Sequence, residues 1–320
     1  MTGANFFKSI LFMALAGFSL GAAAQIRYEA PIDPAAQKLW TSKQSKLSCM
    51  LQCDIPDYGY VAFTTYAGRE HKTFMRITPK LGITDNSEMR FIAVRPEWRA
   101  GGREELLGRI QLYQGFLPYA GPTLTWKVLE SLNAGLQVYF PYTDEHLAAG
   151  QNIIPILSPL GFKPQFRKYI NCQQQLLPVS YEDVQLLPLV FNFQAATLTG
   201  RSQERLMQQI EYIKEDDAIN HIVIAAFAYD MKLKADNISL AQDRAEVLKK
   251  YYTDAGFEER MIEVQPFDVM TLPNDSDSRP VNEEPSARNA LVTLKRDSAK
   301  FNREIETQTP DVGADTGEVR

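Results

Sequence analysis

Asp230 and Arg244 are the two residues whose types and placement could do chemistry together. Arg244 sits in a segment, residues 239–255, whose apolar side chains recur with helical period: Leu240 four before it, Leu248 four after it, Tyr251 seven after it. That spacing sets a guanidinium beside the apolar face of a helix, where an unpaired charge is costly. No acid stands three or four residues to either side, so a partner has to come from another element. Asp230 follows the apolar run Ala225-Ala226-Phe227, and a strand end meets the start of the next helix at one edge of an α/β sandwich. An Asp, an Arg and the N–H groups of a helix start would form a polar socket. The Arg fork matches a carboxylate, the Asp takes an ammonium, and the helix end favours negative charge. A zwitterionic amino-acid group fits such a socket. An internal Asp230–Arg244 salt bridge serving the fold alone fits the same spacing, and both readings stay open at this point. A charge beside an apolar face also implies that losing Arg244 need cost little stability.

Cysteine is the other reactive residue type, present at Cys49, Cys53 and Cys172. The start of the chain says which compartment they meet. Lys8 precedes an apolar stretch, residues 10–20, which leads to Ala22-Ala23-Ala24. This is the layout of a secretory signal peptide over residues 1–24, with Gln25 as the new N-terminus and the periplasm as the destination. The apolar run is shorter than the ~20 residues a membrane-spanning helix needs. In an oxidising compartment two of the three thiols should pair and one should be left over. A metal site using Cys49, Cys53 and Cys172 lacks a second close ligand pair, so neither metal nor cofactor is expected.

The elements that must position these groups fall into two sets. Up to residue 178 the pattern is mainly strands, at 60–65, 72–78, 89–94 and 136–140, short and rich in β-branched and aromatic residues. One helix opens at Pro122-Thr123 and stops at Asn133-Ala134-Gly135; a second, around Phe166, Ile170 and Gln173, carries Cys172. A β-rich, barrel-like domain over residues 25–178 is predicted. From 179 to 297 the order is strand (184–193), helix (201–214), strand (221–227), helix (239–255), strand (261–267) and strand (290–295). Pro188 keeps the first of these strands from being fully paired and central. The long helix is predicted to open on a capping box, Ser239-x-x-Gln242, and to close at Gly256. This order implies a two-layer α/β sandwich and an α+β chain overall. Residues 298–320 are poor in large apolar groups and are predicted to be a disordered tail, with Phe301, Ile305 and Val312 the exceptions.

The segment Asn237-Ile238-Ser239-Leu240-Ala241-Gln242-Asp243-Arg244-Ala245, with its preceding strand and Asp230, resembles the OmpA-like peptidoglycan-binding domain. In that family an Asp after the second strand and an Arg in the next helix hold the diaminopimelate of the wall peptide, so the resemblance assigns Asp230 and Arg244 that role. Further motifs resemble the MotY family of periplasmic proteins from sodium-driven polar flagellar motors. They are Leu47-Ser48-Cys49-Met50-Leu51, Tyr58-x-x-Val61-x-Phe63, Pro96-Glu97-Trp98-Arg99, Trp126-Lys127-Val128-Leu129-Glu130 and Ser180-Tyr181-Glu182-Asp183. The resemblance implies a Cys49–Cys172 disulfide with Cys53 as the free thiol. It also implies a flagellar basal body, a MotX-like ring protein, a sodium-type stator complex and peptidoglycan as partners. The chain departs from the family at Tyr229-Asp230-Met231-Lys232-Leu233, which lacks the usual Gly, and at Ala287-Arg288-Asn289-Ala290. Those departures keep a second reading in play, a domain that contacts protein neighbours and no longer binds wall.

Other function classes find no footing. The formal net charge of -5, or -6 once Lys8 is removed, gives no electrostatic footprint for nucleic acid. No nucleophile elbow, zinc-protease motif, P-loop or dinucleotide fingerprint is present, so no enzyme is expected. Asp275-x-Asp277 begins like a calcium loop but lacks the Gly and final Glu. His71, His146 and His221 are scattered and read as surface or packed residues, and Trp98-Arg99 as a partner contact or, the favoured reading, a core tryptophan stacked by arginine.

Overall fold

Residues 73–79 alternate inward and outward side chains because they form a strand with one face on a core. In the computed structural model Thr73, Met75 and Ile77 are buried while Arg76 between them is exposed. The structure describes residues 25–30, 38–97, 99, 101–102, 104–148, 152–229, 231, 233–265 and 288–297. The predicted signal peptide (1–24), the tail (298–320), Trp98, Asp230 and the Asp275–Asp277 loop lie outside them.

The first part of the chain gives β1 (Gln25–Tyr28), β2 (Trp40–Gln44), β3 (Ser48–Ile55), β4 (Gly59–Tyr66), β5 (Thr73–Pro79) and β6 (Glu88–Val94). Then come β7 (Glu105–Gln111), β8 (Tyr119–Ala120), helix α1 (Pro122–Asn133), β9 (Gln137–Tyr139) and β10 (Tyr142–Thr143). Helix α2 (Glu145–Ala148), β11 (Asn152–Leu157) and helix α3 (Phe162–Gln173) complete it. One antiparallel sheet runs β2-β3-β4-β5-β8; the other runs β1-β11-β9-β6-β7, with β10 also on β11 and β1 parallel to β11. The β-rich character expected from the sequence is there, but the strands make two open sheets rather than a closed barrel. Leu51, Val61, Phe63 and Met75 of one sheet and Met89, Phe91 and Val138 of the other are fully buried in one core. Helix α1 adds Val128, Leu129 and Leu132, starts on Pro122 and stops where Gly135 turns left-handed (φ 82°).

Helix α3 is fastened to the first sheet by specific bonds. The Trp40 indole donates to the Ser158 carbonyl at 2.9 Å and its ring meets Phe162 edge-on at 4.8 Å. The Tyr169 and Thr65 hydroxyls bond at 2.6 Å in the interior. Cys172 of α3 is joined to Cys49 of β3 in a disulfide, with Cα atoms 5.9 Å apart across 123 positions of sequence. Cys53, on the same face of β3, is a buried free thiol whose pKa burial pushes well up.

The second part holds a short helix α4 (Tyr181–Val184), β12 (Leu186–Val190), α5 (Gly200–Glu215) and β13 (Ile219–Ala226). Helix α6 (Lys234–Asp254), β14 (Ile262–Val264) and β15 (Asn289–Arg296) follow. The sheet order is β12-β15-β13-β14, with only β13 and β14 parallel. Strand β12 is an edge, so Pro188 sits where a missing N–H leaves no central ladder broken. Helix α5 turns Leu206, Ile210 and Ile213 onto the sheet, with Thr199 capping its start. Among the described residues no helix is long and apolar enough to cross a membrane.

One predicted boundary is wrong. Helix α6 begins at Lys234, five residues before the expected capping box, and Ser239 is an exposed residue of its second turn. Its start is held by Asn237, whose side-chain amide accepts from the Met231 N–H at 2.9 Å and donates to the Met231 carbonyl at 3.0 Å. No side chain among the described residues caps the start of α6; Asn237 instead ties its first turn to Met231. The last turn ends as expected, at Gly256 with φ 98°. Strand β14 begins at Ile262, one residue after the predicted start, because residues 259–261 form a 3-10 turn before it, and residues 266–267 of the prediction lie outside the described residues.

The two parts touch through the segment between α3 and β12. The Gly68 N–H donates to the Leu177 carbonyl and the Leu177 N–H to the Lys46 carbonyl, at 3.0 and 2.9 Å. Lys46 and Glu215 pair at 2.7 Å on the outside of the same junction. Ser180 and Asp183 form a full capping box on α4, which fixes the direction in which the chain enters β12.

Candidate functional site

Helix α6 carries Arg244 into the interior, where the residue is 0% exposed. Its Nε donates to the Ala195 carbonyl at 3.0 Å, Nη1 to the Phe227 carbonyl at 2.8 Å and Nη2 to the Asn192 carbonyl at 3.4 Å. The guanidinium carbon lies 5.1 Å from the centre of the Phe191 ring, in cation–π range. These carbonyls belong to the places where the sheet stops: the loop after β12 and the residue after β13. The 191–198 loop folds back on itself through a Phe191–Leu198 bridge and an Asn192 N–H to Thr197 carbonyl bond of 2.8 Å, with Gln194 at φ 51°. Backbone carbonyls beyond the ladder need donors from elsewhere. Arg244 donates to three of them, and the Asn192 carbonyl also accepts from the Ala195 N–H at 3.3 Å.

This geometry corrects one expectation. Removing Arg244 is not a matter of relieving an apolar face of a charge, since the Ala195, Phe227 and Asn192 carbonyls would lose a guanidinium donor. The helix start is displaced as well. Arg244 is ten residues into α6, so the helix-start N–H groups lie about 15 Å along the axis from its Cα. The structure therefore brings Arg244 together with the end of β13, three residues before Asp230, and not with the first turn of α6. Asp230 itself lies outside the described residues.

Two contributors escaped sequence reasoning. Phe191 and the 192–195 carbonyls carry no side-chain signature of a charge-binding role. Asn237 did carry a signal, an amide in what looked like a loop before the helix, and it ties Met231 to the first turn of α6. Asn237→Ala is expected to cost about 1–3 kcal/mol, the range for a buried polar pair left without its partner. Ser239→Ala, at an exposed helix position, should stay within about 0.5 kcal/mol. Urea denaturation of both variants checks this, and equal losses would restore the capping box at Ser239.

Two of the remaining candidates make bonds within the fold. His221 bonds Glu263 across neighbouring strands at 2.7 Å. Arg99 donates to the Ala134 and Gly135 carbonyls at the end of α1, at 3.2 and 3.4 Å. Among the described residues no group of His, Cys, Asp and Glu could hold a metal ion.

Comparison with known proteins decides what these parts are. Residues 28–178 match the MotY N-terminal domain, and residues 190–284 match the OmpA family. The chain is thus similar to a MotY N-terminal domain followed by an OmpA family domain. Along 219 residues it is 26% identical to the sodium-type flagellar protein MotY of Vibrio parahaemolyticus, covering 68% of this chain and 74% of that one. Solved structures similar in part include the OmpA-like domain of FopA1 from Francisella tularensis, 19% identical over 35% of this chain and 75% of that chain, TM-score 0.28. The periplasmic domain of Helicobacter pylori MotB is 14% identical over 40% of this chain and 93% of its own, TM-score 0.28. The peptidoglycan-associated lipoprotein of Burkholderia pseudomallei is 18% identical over 34% and 89%, TM-score 0.26. The MotY N-terminal and OmpA family domains are structural parts, and the chain is not an enzyme. Arg244 and the Asn237 staple both fall within the OmpA family match.

Proposed function

We propose that this chain is a periplasmic component of a sodium-driven flagellar motor, exported through residues 1–24, that ties a ring at the motor base to peptidoglycan. The domain boundaries that go with this are 25–178 for the ring-joining part and 179–297 for the wall-binding part. The MotY N-terminal domain joins the basal body through a MotX-like ring protein and supports assembly of the sodium-type stator complex. The OmpA family domain holds the diaminopimelate-containing peptide, with Asp230 taking the ammonium and Arg244 supplying positive charge for the carboxylate. The observation that carries this reading is the position of Arg244. Its guanidinium is bound at the end of β13, next in sequence to the segment that carries Asp230, inside a domain matched to the OmpA family. Titration of the purified mature chain with a diaminopimelate-containing muropeptide tests it. Heat of binding that disappears with a lysine-containing peptide is the expected result, and no heat with either would count against it.

One observation favours a second reading. Arg244 is fully buried and already bonds three main-chain carbonyls, which is what a clamp for the 191–198 loop needs. On that reading the second domain keeps the fold and only contacts protein neighbours. The muropeptide titration separates the two.

A further inference from the structure

The end of the second domain opposite Arg244 holds a cleft of about 640 Å³. It opens where the C-terminal ends of α5 and α6 diverge below the first residues of β13. Its apolar walls are Ile213, Ile219, Phe257 and Met261, and Lys214, Asp217 and Arg260 stand on its sides. Asp216, also at the cleft, is engaged by Arg296, whose guanidinium bonds its carboxylate and stacks on Tyr181 at 3.5 Å. The volume is in the range of sites that take a ligand or a cluster of side chains.

Topology says which part of the chain can reach it. Strand β14 runs parallel to β13, so the 266–287 segment leaves from the Arg244 end, where Arg288 re-enters through its carbonyl bond to the Phe191 N–H. Strand β15 runs the other way and delivers residue 297 to the cleft. The Asp297 N–H donates at 2.8 Å to the carbonyl of Ala218, between the lining residues Asp217 and Ile219. Phe301 is four residues further on, within about 14 Å of chain. Ile305 follows at the spacing of one helical face, flanked by Lys300 and Arg303 and by Glu304 and Glu306. The two helix C-termini suit Lys300 or Arg303, and Lys214 suits the glutamates, whereas Arg260 is paired with Glu258.

We infer that the segment 299–306 docks in this cleft, with Phe301 and Ile305 on its apolar walls. The first residues after β15 then belong to the second domain, in place of the wholly disordered tail expected from composition, and only the stretch beyond them is dispensable.

Hydrogen exchange on the full mature chain tests the docking. Phe301→Asp should raise exchange roughly fivefold or more in peptides covering 213–220 and 255–261, while Val312→Asp should change nothing there. Truncation after Glu306 should behave as the full chain, and truncation after Asp297 as Phe301→Asp. Unchanged exchange in Phe301→Asp, or the same rise in Val312→Asp, would overturn the inference and leave the cleft to another occupant. A rise spread evenly over both domains would also overturn it, because it would report global stability.

Discussion

Replacing Arg244 with alanine is expected to lower the unfolding free energy by about 3 kcal/mol, the upper range for losing a charged hydrogen-bond donor. The cause is local. Three part-buried carbonyls, at Asn192, Ala195 and Phe227, lose a charged donor, and the Phe191 ring loses its cation. Arg244→Lys should recover only part of the loss, because an ammonium cannot hold three carbonyls with the geometry of a guanidinium fork. Urea melts monitored by far-UV circular dichroism give the ordering wild type, lysine, alanine. A loss below about 1 kcal/mol for alanine, the net worth of one ordinary hydrogen bond, would mean that the carbonyls find other donors and that Arg244 is no clamp.

Loss of the Cys49–Cys172 link should have an effect of similar size on the first domain. A disulfide closing a loop of this length contributes up to ~5 kcal/mol through chain entropy. It also holds α3 on β3, and the segment after α3 carries the bonds that join the two parts of the chain. Cys172→Ser is expected to shift the urea midpoint of the first domain strongly, and reductant should do the same to wild type. Cys53 should stay unreactive to thiol reagents until the protein unfolds, since burial holds its thiol protonated. Rapid labelling of Cys53 in the native state, or an unchanged midpoint in Cys172→Ser, would contradict this.

Strands with one buried face were legible in the sequence because period-two alternation is a strong signal, as along β5. Strand β3 was not. Met50 and Gln52 on its other face are buried too, so it reads as an unbroken run. Strand β11 was hidden by Pro155 inside it, which pairs with the terminal strand β1 at an arrangement no local pattern announces. The edge position of β12 was readable from Pro188, and the end of α6 from Gly256. Its beginning was not, because Ser239-x-x-Gln242 is a good box by spacing while the residue that holds the start, Asn237, acts through a contact six residues back. The candidate site shows the same division. Arg244 was marked by a charge on an apolar face, but its main-chain partners leave no trace in side-chain types.

Co-sedimentation with purified sacculi bears most directly on the anchoring role. Wild-type mature protein should pellet with wall, and Asp230→Ala should stay in the supernatant while keeping the wild-type melting temperature. Asp230→Ala is the better probe than any change at Arg244, whose loss disturbs the fold for reasons unrelated to wall. Wild type that remains in the supernatant across sacculus concentration and salt, or Asp230→Ala that pellets as wild type does, would contradict the account.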